Sequence, residues 1–117
     1  VNEIAPRVHN SGHYSIEACL TSQFEQHLRM ICDLPHGSTD LIKYASMINI
    51  LGKGKVLKNS KLKGIDKALR IAGTKFHLYG KKDVKVGRKM GHITVLSDSQ
   101  QDCIDNAIKA EAMLYWK

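Results

Sequence analysis

The chain has 117 residues, of which 43% are hydrophobic and 25% charged, with a net charge of +7. That length suits one domain with a modest core. No apolar run approaches the roughly 20 residues that span a bilayer, and the opening lacks the basic-then-apolar layout of a signal peptide. The three cysteines, Cys19, Cys32 and Cys103, are isolated. An odd count without CxxC spacing argues against a disulfide framework or a zinc ribbon and predicts buried or idle thiols in a reducing compartment.

In chain order the pattern alternates between α and β. Val1 to Ala5 reads as the end of a strand closed by Pro6, and Asn10 to Gly12 as a turn. Ser22 with Glu25 forms a capping box, followed by Phe24, Leu28, Ile31 and Cys32 on one helical face. Pro35 to Gly37 ends that unit. Met47 to Leu51 is a strand stopped by Gly52, and Lys53 to Lys63 a lysine-rich loop. Ile65, Ala68, Leu69 and Ala72 predict a short helix with Gly73 as its C-cap. Phe76 and Leu78 alternate with His77 and Tyr79, and Ile93 and Val95 with His92 and Thr94; both read as strands. Asp98 and Ser99 are N-cap candidates for a last helix carrying Ile104, Ala107, Ile108 and Glu111.

Charge is concentrated. Residues 53–89 hold thirteen basic and two acidic side chains, net +11, while residues 1–35 and 90–117 each carry −2. Such a block attracts phosphate, nucleotide or polynucleotide anions, or forms a solvated lysine face.

Residues 2–13 pack a carboxylate, an arginine, two histidines and small polar residues into twelve positions. Glu3 is a hard oxygen ligand suited to Mg²⁺. Arg7 offers a planar fork for carboxylate, bicarbonate or phosphate. His9, Asn10, Ser11 and His13 add hydrogen-bonding groups on a loop that Gly12 lets approach closely. The four-residue spacing of His9 and His13 would suit a metal only on a helix, which Asn10, Ser11 and Gly12 disfavour.

These residues, with Thr21–Arg29, Met47–Gly52, Leu78–Lys81 and Gly87–Ile93, resemble the signature of the ATP-grasp family of 5-(carboxyamino)imidazole ribonucleotide synthetases. The resemblance implies an α+β fragment. Residues 1–35 would be the end of an ATP-grasp domain, and residues 36–117 a small β-rich barrel-sandwich, single-hybrid-like subdomain with a terminal helix. It implies ATP, Mg²⁺ and bicarbonate as reactants, and carboxylation of aminoimidazole ribonucleotide through carboxyphosphate. Glu3 would ligate Mg²⁺, with Asn2 beside it at the nucleotide. Arg7, His9 and Asn10 would be catalytic, and Ser11, Lys82, Arg88 and Lys89 would bind the substrate.

The sequence departs from the family pattern at Val86, where proline is common, and in a Tyr79–Arg88 run that is one residue longer. Lys81 therefore stands as an alternative to Lys82 at the phosphate. His92 fits either a supporting donor or a half-buried strand residue. The resemblance further implies missing N-terminal domains, a homodimer, a carboxylase or mutase partner or fused domain, a cytoplasmic location and an inactive isolated chain. Rival readings are the ATP-grasp formate-dependent glycinamide ribonucleotide transformylase, a basic nucleic-acid module and an oligomerisation domain. The nucleic-acid reading is disfavoured: aromatics are 6%, and there is no stacking or helix-turn-helix motif.

Overall fold

The computed structural model describes residues 4–53, 57–58 and 60–117. A 3₁₀ turn at Asn10–Gly12 leads into a short helix α1 (Ser15–Ala18) and then α2 (Gln23–Ile31). Strands β1 (Tyr44–Leu51), β2 (Leu57–Lys58) and β3 (Leu62–Lys63) come next, then α3 (Ile65–Ala68). The chain continues through β4 (Thr74–Leu78), β5 (Asp83–Val84) and β6 (Lys89–Ser97) to α4 (Gln100–Ala112) and β7 (Tyr115–Trp116).

β6 is the centre of an antiparallel sheet in the order β1-β6-β4. Cross-strand partners share a face and successive residues alternate, so the register sorts the sheet into two chemistries. One row is Ile48–Ile93–Phe76. It lies against α4, whose Ala107 and Ala110 join Ile50, Ala68, Ile93 and Val95 in the core. Small alanines let the helix sit close to the sheet, and the core includes the predicted alternating pair of β6. The neighbouring row, Asn49–His92–His77, belongs to the opposite face. That polar row faces the N-terminal segment: Glu17 of α1 reaches His77, and His13 lies against His92.

The helix caps follow the sequence. Ser22 accepts from the Glu25 amide at 3.2 Å, and Arg29 pairs back to Glu25. Of the two candidates for the last helix, Ser99 is the cap, accepting from the Asp102 amide at 3.3 Å. The stripe of α2 is a different matter. No residue of α2 is buried; Leu28 is 60% and Ile31 67% exposed.

Three local expectations are corrected. Ile4 and Ala5 are not in a strand; Val1 to Glu3 lie outside the described residues. The helix expected to close at Gly73 ends at Ala68 and continues as tighter turns, with Arg70 N donating to Lys67 O and Ile71 N to Ala68 O, both at 3.1 Å, before Gly73, at φ +79°, hands the chain to β4. The carbonyl of Gly73 accepts from the Leu96 amide at 3.1 Å, fixing the start of β4 beside β6. The lysine-rich stretch is not all loop: β2 pairs with β5 and β3 with β7. Gly52 does stop its strand, and the reason is contact. Its amide donates to Arg88 O and its carbonyl accepts from Gly87 N, both at 2.9 Å. A Cβ at Gly52 would lie 2.1 Å from the Lys85 carbonyl.

Candidate functional site

The 3₁₀ turn folds because His9 caps it: the His9 ring accepts from the Ser11 amide, and its Nδ1 lies 2.9 Å from Ser11 Oγ. The whole loop is then gripped by Gln23. That side-chain amide accepts from His9 N at 2.9 Å, donates to His9 O at 2.8 Å and donates to His13 Nδ1 at 2.6 Å. Ser15 Oγ adds a tie, donating to Gly12 O at 2.6 Å while accepting from the Gln23 amide at 2.9 Å. Three predicted loop residues, His9, Asn10 and Ser11, are thus fixed by backbone anchorage, while Arg7 stays exposed and turns to Val8 O.

Asn10 is where the N-terminal loop meets the segment between β4 and β6. Its Oδ1 accepts from Lys89 Nζ at 2.9 Å, and its Nδ2 donates to Tyr79 OH at 3.4 Å. Tyr79 OH lies 2.9 Å from His92 Nδ1. Lys81 joins the group: its ammonium donates to Lys89 O at 2.5 Å and stands 5.4 Å over the Tyr79 ring. Arg88 donates to Asp83 O at 3.3 Å across the Gly87 turn, where φ is +73°. Lys82 is exposed and makes no hydrogen bond or ion pair with the described residues. Lys89 therefore reaches Asn10 directly and Lys81 joins through Lys89 O and the Tyr79 ring, whereas Lys82 makes no hydrogen bond to the described residues. Asn2 and Glu3 lie outside the described residues.

Beneath the loop is a stack of rings. His77 and His92 lie parallel at 4.5 Å, His13 is 5.2 Å from His92, and Phe24 stacks on His13 at 5.3 Å. Glu17 Oε1 meets His77 Nε2 at 2.5 Å. His92 is 1% exposed. Burial, together with the neighbouring His77 and His13, depresses its pKa to about 4, so the ring is neutral near pH 7. Burial likewise lowers His13 and raises the Tyr79 phenol. A cavity of about 740 Å³ opens on the other side of the loop, lined by Arg7, Gly12, Ser15, Gln23, Gln26 and His27.

Sequence reasoning misses four members of this assembly: Glu17, Gln23, His77 and Tyr79. His77 and Tyr79 show only as polar positions of an alternating strand. The one signal was that histidines occupy the polar positions of two separate strands, without metal spacing.

An exposed cationic rim over a neutral hydrogen-bonding floor, on a mixed α/β unit, is an arrangement for holding an anionic ligand. The N-terminal residues 1–24 match the ATP-grasp domain, and residues 45–106 match the phosphoribosylaminoimidazole carboxylase C-terminal domain. The chain belongs to the phosphoribosylaminoimidazole carboxylase C-terminal domain family. It is 54% identical over 108 residues to phosphoribosylaminoimidazole carboxylase of Schizosaccharomyces pombe, a match covering 88% of this chain and 19% of that protein. It is similar to the N5-carboxyaminoimidazole ribonucleotide synthetase structure from Thermotoga maritima, with TM-score 0.93 and 50% identity over 98% of this chain and 32% of that one. A synthase from Aspergillus clavatus in complex with ADP and 5-aminoimidazole ribonucleotide matches at TM-score 0.77 and 39% identity, over 89% of this chain and 28% of that one. The chain thus spans between a fifth and a third of the length of these relatives.

Proposed function

We propose that the protein carrying this chain is an ATP-dependent carboxylating ligase of de novo purine biosynthesis, and that this chain supplies part of its ribonucleotide pocket. The observation that carries the reading is the junction of Asn10 with Lys89, 79 residues apart in sequence, at 2.9 Å. It sets the catalytic loop and the basic Gly87 turn side by side, as joining two anionic reactants requires. The substrate named for the similar Aspergillus structure supports aminoimidazole ribonucleotide as the ligand.

In this reading ATP supplies the phosphoryl group that activates bicarbonate. Arg7, His9 and Asn10 orient the activated carboxyl group against the exocyclic amine, the Arg7 fork and the Asn10 amide donating to its oxygens. Arg88 and one of Lys81 or Lys82 hold the 5′-phosphate, with Ser11 and Lys89 as further substrate contacts; five cations within nine positions fit a phosphate monoester. Glu3, with Asn2 beside it, is assigned to Mg²⁺ from the sequence. Among the described residues no three His, Cys, Asp or Glu side chains gather to hold a metal.

Residues 1–35 are taken as the end of the ATP-grasp domain and residues 36–117 as a barrel-sandwich subdomain. The two are laced together, since Leu20 N donates to Asp40 O at 3.0 Å and Ile42 N to Ala18 O at 2.8 Å. The isolated chain is inactive in this reading, and the whole protein is a cytoplasmic homodimer with a carboxylase or mutase partner. No helix among the described residues is long and apolar enough to cross a membrane.

The test is phosphate release from ATP and bicarbonate by the full-length protein, with and without aminoimidazole ribonucleotide. Release that depends on the ribonucleotide and is lost in a Lys82→Ala, Arg88→Ala variant supports the reading. Release indifferent to the ribonucleotide sinks it.

A further inference from the structure

We propose that Tyr79 is a positioning residue that sets the amide of Asn10, and through it Lys89, from a fixed point inside the sheet at His92. The proposal deepens the carboxylase reading and rests on it for the substrate.

The direction of the hydrogen bonds follows from donor inventory. A lysine ammonium only donates, so the end of the Asn10 amide facing Lys89 Nζ at 2.9 Å is the oxygen. The nitrogen then faces Tyr79 and donates to its oxygen at 3.4 Å. The phenol hydrogen is left for its other partner, His92 Nδ1, at 2.9 Å. His92 accepts there, and a neutral imidazole that accepts at Nδ1 carries its proton at Nε2. Nε2 is buried and makes no hydrogen bond, and so is Asn49 Oδ1, on the residue directly across from His92 in β1.

The anchor does not turn. His92 is sandwiched among His77 and His13, which the Glu17 and Gln23 side chains hold in their turn. Lys81 covers the Tyr79 ring from the solvent side. The row Lys89–Asn10–Tyr79–His92 therefore transmits a position from the sheet to two groups placed on the substrate. Loosening Asn10 and Lys89 together affects the ribonucleotide and leaves nucleotide binding alone.

The experiment uses the full-length protein. In Tyr79→Phe the expected result is a roughly tenfold fall in kcat/KM for aminoimidazole ribonucleotide, with the KM for ATP unchanged. Adding Tyr79→Phe to Asn10→Ala should cost little more than Asn10→Ala alone, because both act through one amide. His92→Asn keeps an acceptor near Nδ1 and should retain more activity than His92→Leu. Histidine ¹⁵N shifts in the wild type should report His92 as the Nε2–H tautomer at pH 7. An Nδ1–H tautomer, or a Tyr79→Phe enzyme with wild-type kcat/KM for the ribonucleotide, overturns the proposal. A wild type whose ATP cleavage ignores the ribonucleotide overturns the carboxylase reading instead, and the tautomer then decides separately whether the relay exists.

Discussion

Glu17 and His77 meet at 2.5 Å across 60 residues of sequence, and this contact ties the N-terminal helix to the edge strand of the sheet. Glu17 is the more enclosed partner, and its second oxygen is buried without a hydrogen bond. Replacing one member of such a pair leaves the other poorly solvated. Glu17→Ala is expected to lower stability by about 1–3 kcal/mol. Glu25→Ala, which breaks the solvent-exposed pair with Arg29, should cost under about 1 kcal/mol. Parallel denaturation of the two variants checks the contrast; equal losses would show that the Glu17 contact carries no special weight.

His92 makes the fold acid-sensitive. Its folded pKa of about 4 lies below the ordinary 6.5 of the unfolded chain. Above pH 6.5 both states are neutral and the stability is complete. As pH falls below 6.5 the unfolded chain takes up a proton that the native ring refuses, so stability declines until about pH 4. The loss reaches roughly 3 kcal/mol, since each pH step of one between those two values removes about 1.4 kcal/mol. His13, lowered in the same direction, adds to it. Amide exchange in β6 followed from pH 7 to pH 4.5 should show protection falling. A His92→Asn variant should show a shallower fall; an identical slope would remove His92 as the cause.

Glycines with positive φ are not equivalent. Gly64, at φ +86°, would place a Cβ 1.9 Å from the Met113 carbonyl, whereas Gly80, at φ +64°, opens onto empty space. Gly80→Ala should therefore cost only the left-handed penalty of about 1–2 kcal/mol. Gly64→Ala should cost clearly more, because backbone must move, separating α3 from the end of α4. Melting temperatures of the two variants decide it.

Gln23 predicts an activity effect without contact to substrate. Gln23→Glu retains an acceptor for His9 N but loses both donations, to His9 O and His13 Nδ1. Loss of loop register should lower kcat of the full-length protein by about 10- to 100-fold. Wild-type turnover in Gln23→Glu would show that the loop holds its shape without the clamp.

What the sequence disclosed was local. The caps at Ser22 and Ser99, the core pair Ile93 and Val95 and the loop His9–Asn10–Ser11 all announce themselves within a few residues, because capping and alternation are short-range rules. The Glu17–His77 pair, the Gln23 clamp and the Tyr79–His92 contact do not, since they depend on how α1 meets β4, how α2 folds back on the loop and how the end of β4 lies beside β6. The α2 stripe misleads for a related reason. Helical spacing identifies an apolar face, but not whether this stretch of chain supplies anything to cover it.

The Asn10–Lys89 junction also dates the assembly of the pocket. The loop leaves the ribosome well before Tyr79, which follows β4, and before β6, which carries Lys89 and His92. Pairing at separations of 60 to 79 residues is slow relative to local helix formation. During synthesis α2 and the capped turn can form at once, while the cationic rim waits for β6. The rim forms only once β6 is in place, so a translational pause before β6 would leave its first half formed and its second half absent.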